Sequence, residues 1–449
     1  MIYTPNLLLW LETVLFERYG TDFRLQLLED RWVMNAPALD GRIEVMRTHT
    51  SFAALSRDTP CAHWNAQGSD LQGAIANVLP APGAATLPEP LVTEIAGGFR
   101  IGYDILALAA WMMTRQEEIG ATDLDEHGRF PAVASHAFRH GYLERPIVDE
   151  WFYILSQVVK CLWPSLEMKR NEFSVSVSHD VDQPSPIGFS TYPRVLRSML
   201  GQIVKKRSLV GAVRLPIIKL NTKNQLHASD PYNNFDWIMD ASERQGLRSA
   251  FYFICGRTNA ARDALYDVGH PAIRALIRRI HGRGHEVGLH PSYETYLMPG
   301  AIAHEFRTLQ KVCEEEGVRQ VGWGGRMHYL RWSHPTTLRE WSRAGLDYDS
   351  TLGYADLPGF RCGTCHDYPA YDLERDEQLE LRIRPLVVME CTITAERYMG
   401  LGKGDAAWAK ILGIKNACRA VGGRFELLWH NSELLTEEDR ILFVRALKD

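Results

Sequence analysis

The sequence predicts an α/β chain: a distorted (β/α) barrel over residues 169–449, preceded by a smaller α/β accessory domain over residues 1–168. Three observations lead there. Short strand-like runs in the second part end in Asp180 and Asp182, in His290 and in His430, and strand ends are where such barrels keep their chemistry. A helical stretch, 272–281, feeds one of these runs, as a βα repeat requires. At 449 residues the chain exceeds what a single core commonly holds, and its first third differs in texture.

In that first third, residues 6–18 carry an amphipathic helical pattern. Phe23-Arg24-Leu25-Gln26-Leu27 and Arg42-Ile43-Glu44-Val45 alternate as strands, and the apolar run within 102–116 reads as a helix. Asp125-Glu126-His127-Gly128-Arg129-Phe130-Pro131 is a polar turn cluster. The boundary is expected between Trp163-Pro164 and Arg170, and there is no internal repeat or low-complexity segment.

The second part opens with Phe173-Ser174-Val175-Ser176-Val177, a strand running into Ser178-His179-Asp180-Val181-Asp182. Positions two apart share a face, so Asp180 and Asp182 sit side by side at the strand end. Two close carboxylates repel unless a proton or cation intervenes, which makes the pair a candidate metal site with a general base. A plain strand-to-loop exit with a turn-forming Asp is the alternative. Residues 183–229 contain eight Lys and Arg (Arg194, Arg197, Lys205, Lys206, Arg207, Arg214, Lys219, Lys223) and no Asp or Glu. Interleaved with Val195, Leu196, Met199 and Leu200, they read either as a basic amphipathic element for an anionic membrane or phosphate-bearing glycan, or as a solvated basic face.

Asp230-Pro231-Tyr232-Asn233-Asn234-Phe235 restarts a helix, and Ser249-Ala250-Phe251-Tyr252-Phe253-Ile254 is a buried strand. Arg257 and Asn259 follow it as substrate-contact or turn residues. Gly284-His285-Glu286-Val287-Gly288-Leu289-His290 is the next strand; His285 faces away as a packed or capping residue, and His290 at the mouth is the better ligand. Phe425-Glu426-Leu427-Leu428-Trp429-His430-Asn431 is a further strand ending in histidine. Nitrogen and oxygen ligands with open positions suit a catalytic zinc or similar divalent ion.

These ordered motifs resemble the polysaccharide deacetylases (carbohydrate esterase family 4, chitooligosaccharide deacetylase type), over residues 172–449. The resemblance implies a barrel of that type. It makes Asp180 the catalytic base and Asp182 a metal ligand. His290-Pro291-Ser292-Tyr293-Glu294 resembles the family's two-histidine metal motif, with Glu294 where the second histidine stands. Arg326 in Gly324-Gly325-Arg326-Met327-His328 resembles the arginine that orients the base, without the family's prolines, and Leu427-Leu428-Trp429-His430 resembles the motif carrying the general acid. His328 is a substitute ligand or, as favoured, a groove-lining residue. Asn431 orients His430, binds a sugar hydroxyl or ends the strand, and Tyr354 stands among aromatics able to stack on sugar rings or pack in a core. The expected cofactor is zinc, with cobalt, nickel or manganese as substitutes. The polar cluster at 125–131 and Leu143-Glu144-Arg145-Pro146-Ile147-Val148 resemble an accessory domain preceding certain deacetylase domains of bacterial surface-polysaccharide gene sets.

The expected activity is therefore removal of an N-acetyl group from an amino sugar, free, nucleotide-linked or lipid-linked, in surface-polysaccharide biosynthesis. O-deacetylation, amidohydrolysis of a small metabolite and a catalytically silent glycan-binding scaffold are the alternatives. A net charge of −5 argues against a general nucleic-acid binder. No apolar run reaches the roughly 18 residues of a membrane span. The start, Met1-Ile2-Tyr3-Thr4-Pro5-Asn6, lacks a basic leader, and eight cysteines in this length read as buried thiols. The expected compartment is the cytoplasm, with peripheral contact at the inner membrane face through 194–223. Cys362-Gly363-Thr364-Cys365-His366 matches a haem-attachment or redox pattern, but reads better as a structural or groove-lining turn.

Overall fold

A computed structural model describes residues 4–47, 58–204 and 207–448. The first helix, α1 (Pro5–Tyr19), starts on Thr4, whose hydroxyl accepts from Leu7 N–H, with Pro5 at the first helical position. Five strands follow as one sheet in the order β1 (Arg24–Leu27), β2 (Arg31–Asn35), β3 (Arg42–Met46), β7 (Gly98–Ile101), β6 (Val92–Ile95). Only the β3–β7 pairing is parallel in it. Strands β4 (Cys61–Asn65) and β5 (Val78–Pro82) form a separate antiparallel pair. Helix α2 (Ile105–Met113) is apolar on every side and buried along its whole length, as such a helix must be. The short α3 (His136–Arg139) and the amphipathic α4 (Ile147–Leu162) complete this part.

The second sheet has nine strands in the order β13 (Tyr368–Asp372), β14 (Glu377–Ile383), β12 (Tyr348–Asp349), β11 (Gly324–Gly325), β10 (Glu286–Leu289), β9 (Ser249–Phe253), β8 (Ser174–Val181), β16 (Arg424–Leu428), β15 (Val388–Met389). All pairings are parallel except β13 with β14. Helices α5 (Tyr192–Val204) and α6 (Leu209–Asn221) form a hairpin after β8; α7 (Phe235–Glu243), α8 (Pro271–Gly282), α9 (Ala301–Glu315), α10 (Thr336–Arg343), α11 (Glu390–Thr394), α12 (Asp405–Ala420) and α13 (Glu437–Leu447) fill the other connections.

The sheet is mixed and open, where the sequence predicts a barrel. Strands β13 and β15 are its two edges. Between β14 and β15 the chain passes the C-terminal end of β12 through single bonds, Arg384 N–H to the Asp349 carbonyl (2.9 Å) and Leu386 N–H to the Leu352 carbonyl (3.2 Å). The strands at this side, β11, β12 and β15, are two residues long, too short to carry a continuous ladder. Gly325 is required at its position because a Cβ there would overlap the Leu289 backbone.

One cluster of buried apolar side chains runs through both parts of the chain. Trp10 of α1 donates to the Pro369 carbonyl at 2.8 Å. Arg18 pairs with buried Asp149 at 2.7 Å, and Asp149 also accepts from Thr364 Oγ1 (2.7 Å) and Cys365 N–H (2.9 Å). Arg361 reaches back to Glu118 with 2.8 and 2.6 Å bonds. None of the described helices is long and apolar enough to cross a membrane.

Candidate active site and metal centre

The C-terminal ends of β8, β10 and β16 and the turn after β11 open on a cavity of about 730 Å³. Alternation along β8 puts Ser178 and Asp180 on one face, and Asp182 follows just past the strand end. Asp182 Oδ1 lies 3.1 Å from His290 Nε2 and 3.7 Å from His328 Nε2, while its Oδ2 lies 3.8 Å from His430 Nε2. One ligand atom each from Asp182, His290 and His328 falls within 4.8 Å of the others.

Each imidazole is held from behind through Nδ1. His290 Nδ1–H donates to the Arg326 carbonyl (2.5 Å), His328 Nδ1–H to Asp263 Oδ1 (3.0 Å) and His430 Nδ1–H to Glu390 Oε1 (2.6 Å). Carbonyl and carboxylate oxygens accept these bonds, so Nδ1 of each ring carries a proton, and on His290 and His328 it is Nε2, the atom facing Asp182, that is left to act as a ligand. His290 Nε2 and Asp182 Oδ1 are both buried and, although close, are not aligned as a hydrogen bond. Two buried lone-pair atoms facing each other fit a cation, and a donor set of two imidazoles and a carboxylate suits zinc. A carboxylate behind the ring, as Asp263 stands behind His328, is the usual support of a metal-bound imidazole. Burial works against the Asp182 carboxylate, but the His328, His290 and His430 rings outweigh it and hold its pKa well below the usual range.

Asp180 is gripped by Arg326, a fully buried guanidinium whose Nη1 donates to Asp180 Oδ1 at 2.9 Å. The other donors of Arg326 are spent on Ser178 Oγ (2.8 Å), Ser350 Oγ (3.0 Å) and the Ser350 carbonyl (2.9 Å), and the guanidinium lies over the Tyr252 ring at 5.2 Å. So fixed, the fork presents Asp180 with Oδ2 toward His290 Nε2, 3.7 Å away. Across Asp182, burial disfavours the His430 cation, but Glu390 and then Asp182 and Asp180 outweigh it and raise its pKa to about 10.

Comparison with known proteins adds the following. Residues 10–164 match a family of unknown function (DUF7033). No curated protein matches the chain. Among solved structures, the chain is similar to a putative polysaccharide deacetylase from Mycobacterium smegmatis (17% identity, TM-score 0.39), covering 62% of this chain and 84% of that one. It is also similar to the Puue allantoinase (13%, TM-score 0.37, covering 64% and 85%). A probable polysaccharide deacetylase from Pseudomonas aeruginosa PAO1 gives 15% identity and a TM-score of 0.34, covering 62% and 84%.

Several residues fall elsewhere than the sequence suggests. Glu294, expected as a metal ligand, does not join Asp182: its Oε2 accepts from Arg331 Nη1 (2.8 Å) and its Oε1 from Asn259 Nδ2 (3.2 Å). The reason is local charge, since Arg331 is wedged 3.9 Å from the Tyr293 and Tyr296 rings and needs a counter-ion. His328, read from sequence as groove-lining and a substrate contact, joins Asp182 and His290 in the group able to hold a metal ion and also lines the cavity. Arg257 is exposed and turns back to the Ala260 carbonyl (3.2 Å), leaving Arg262 on the cavity wall. Tyr354 is buried between the two parts of the chain beside Arg361 rather than in the groove. The stretch from Tyr348 likewise starts as a strand, and Phe360 and Arg361 are core. Asn431 is buried, its Nδ2 tying the Gln183 (3.1 Å) and Tyr232 (3.0 Å) carbonyls, so it positions chain rather than ligand. Cys362 and Cys365 are buried free thiols, and burial pushes both pKa values up.

Two positioning residues escaped the sequence reading. Glu390 follows Val387-Val388-Met389, an apolar run ending in a carboxylate, which is the same strand-end signal that exposed Asp180. Asp263 sits in a loop with no such signal. The N-terminal turn cluster also reaches the site. His127 and Arg129 line the cavity, His127 Nδ1 bonds to Tyr293 OH (2.9 Å), and Arg129 donates to the Tyr329 carbonyl (2.8 Å). That carbonyl belongs to a strained turn: Tyr329 (φ 61°) and Leu330 (φ 56°), directly after His328, are both left-handed without being glycine.

Proposed function

We propose that the chain hydrolyses the N-acetyl amide of an amino sugar, using a divalent ion, zinc by its donor set, held by Asp182, His290 and His328. The observation that supports this is a base and an acid poised on either side of those ligands: Asp180 fixed by Arg326, and His430 fixed by Glu390. When bound, the ion polarises the acetyl carbonyl and acidifies a water. Asp180 Oδ2, the oxygen that Arg326 leaves open, accepts the proton of the attacking water. His430 Nε2 delivers a proton to the departing nitrogen, which leaves as an amine rather than an amide anion. Arg326 neither binds nor reacts; it holds the base at one angle in a dry setting. The amino-sugar class and a place in surface-polysaccharide assembly are supported by the motif resemblance and by the polar lining of the cavity, which includes Asp125, Arg129, Asp356 and Arg397.

Acetate release tests this directly. Purified protein with added zinc or cobalt should free acetate from at least one member of a panel of free, nucleotide-linked and lipid-linked N-acetylated amino sugars. Asp180→Asn should lower the rate by about 10²–10⁴-fold. Failure with every metal and substrate would overturn the proposal, and acetate from O-acetyl substrates alone would move it to ester hydrolysis.

A further inference from the structure

The hairpin of α5 and α6 has the strongest mismatch between surface and solvent in the molecule. Ten of the twenty-five exposed large apolar side chains among the described residues fall within 192–220. On α5, Leu196 (58% exposed), Leu200 (55%) and Val204 (73%) recur every four residues and form one stripe. On α6, Val210 (81%), Val213 (59%) and Leu220 (55%) do the same at helical spacing. The hairpin has its own small core of Ile187, Val195 and Ile218, with Met199 and Leu215 against it, so the outward stripes are additional to what its folding needs.

Cations flank these stripes. Arg197 adjoins Leu196 and Arg214 adjoins Val213, and both are exposed. Among the described residues, Arg194, Arg197, Arg207 and Lys223 form no ion pair with a carboxylate, and Arg214 acts on Asp230 through space without a contact ion pair; Lys205 and Lys206 lie outside the described residues. Over 183–229 the chain has no Asp or Glu at all, although the whole carries a net −5. A second copy docking through the same face would bring two such cation sets together, which charge repulsion opposes. A surface that is both apolar at depth and anionic at its rim matches the face on both counts.

We propose that the α5–α6 hairpin docks on an anionic lipid bilayer, with Leu200 and Val213 entering the headgroup boundary and Arg197 and Arg214 meeting lipid phosphates. The same helix helps form the cavity wall, through Arg194 and Ser198, so docking brings the cavity mouth to the membrane surface. This inference stands independently of the chemistry proposed for the cavity, because its test reads binding alone.

Flotation of the full-length protein with vesicles provides that test. It should float with phosphatidylcholine vesicles containing phosphatidylglycerol, not with phosphatidylcholine alone, and binding should weaken as salt rises. Arg197→Glu with Arg214→Glu should lower partitioning at least about tenfold. Leu200→Glu with Val213→Glu should do so too, and both double variants should keep the wild-type melting temperature because the side chains are exposed. Equal flotation with neutral vesicles, or undiminished binding by the charge-reversed protein, would overturn the proposal. So would a concentration-dependent dimer that Leu200→Glu dissociates in a protein that ignores vesicles. The salt dependence of the unmodified protein decides the matter even if a variant misfolds.

Discussion

Asp263 and Glu390 each hold an imidazole by Nδ1, yet they are themselves held differently. Asp263 also accepts from the Tyr293 and Asn259 N–H groups, so it is anchored before it orients His328. Glu390 accepts both the His430 ring and the His430 backbone N–H on one oxygen. Zinc titration of metal-stripped variants separates ligands from bystanders. Glu294→Ala should bind zinc as the unaltered protein does, Asp263→Ala should bind about 10–100-fold more weakly, and His328→Ala weaker still. Equal losses at Glu294 and His328 would return Glu294 to the ligand set. At this scale the sequence shows Asp180, Asp182, His290 and His430 because strand ends mark them. It does not separate Glu294 from His328, since that choice depends on where Arg331 finds its counter-charge, a contact made across 37 residues of chain.

At the scale of elements, the two-residue strands β11 and β12 show how closely the backbone is drawn together beneath the site. Gly325 pairs with Leu289 and precedes Arg326, so any Cβ at this position pushes β10 away from the arginine that grips Asp180. Gly325→Ala should lower stability by about 1–3 kcal/mol, read from chemical denaturation, and should loosen the Arg326–Asp180 contact with it. Helix and strand existence was legible wherever periodicity ran long, as in α1, α2, α8 and β8. Strands this short leave no periodicity to read, and the closure of the sheet, which hinges on them, was correspondingly beyond the sequence.

For the molecule as a whole, the buried rings of His136 and His366 contribute to its response to acid. Burial, reinforced by His140 at His136 and by Arg18 at His366, lowers both rings from 6.5 to about 4. The unfolded chain takes up these protons below pH 6.5 while the folded protein resists them until about 4, so stability present at neutral pH is lost across that window. The melting temperature should fall steadily from pH 6.5 to 4, and His366→Gln should flatten the slope. The two-part organisation expected from texture has a physical complication that composition does not reveal: Arg18–Asp149–Thr364 and Glu118–Arg361 join residues far apart in the chain within one core.

The turn cluster at 125–131 contributes His127 and Arg129 to the rim of a cavity whose Asp180, Asp182, His290, His328 and His430 all come from later in the chain. The lining of the cavity is thereby drawn from separate stretches of polypeptide. Substitutions in the early stretch can therefore reshape the rim of this cavity while the Asp182–His290–His328 cluster stays untouched.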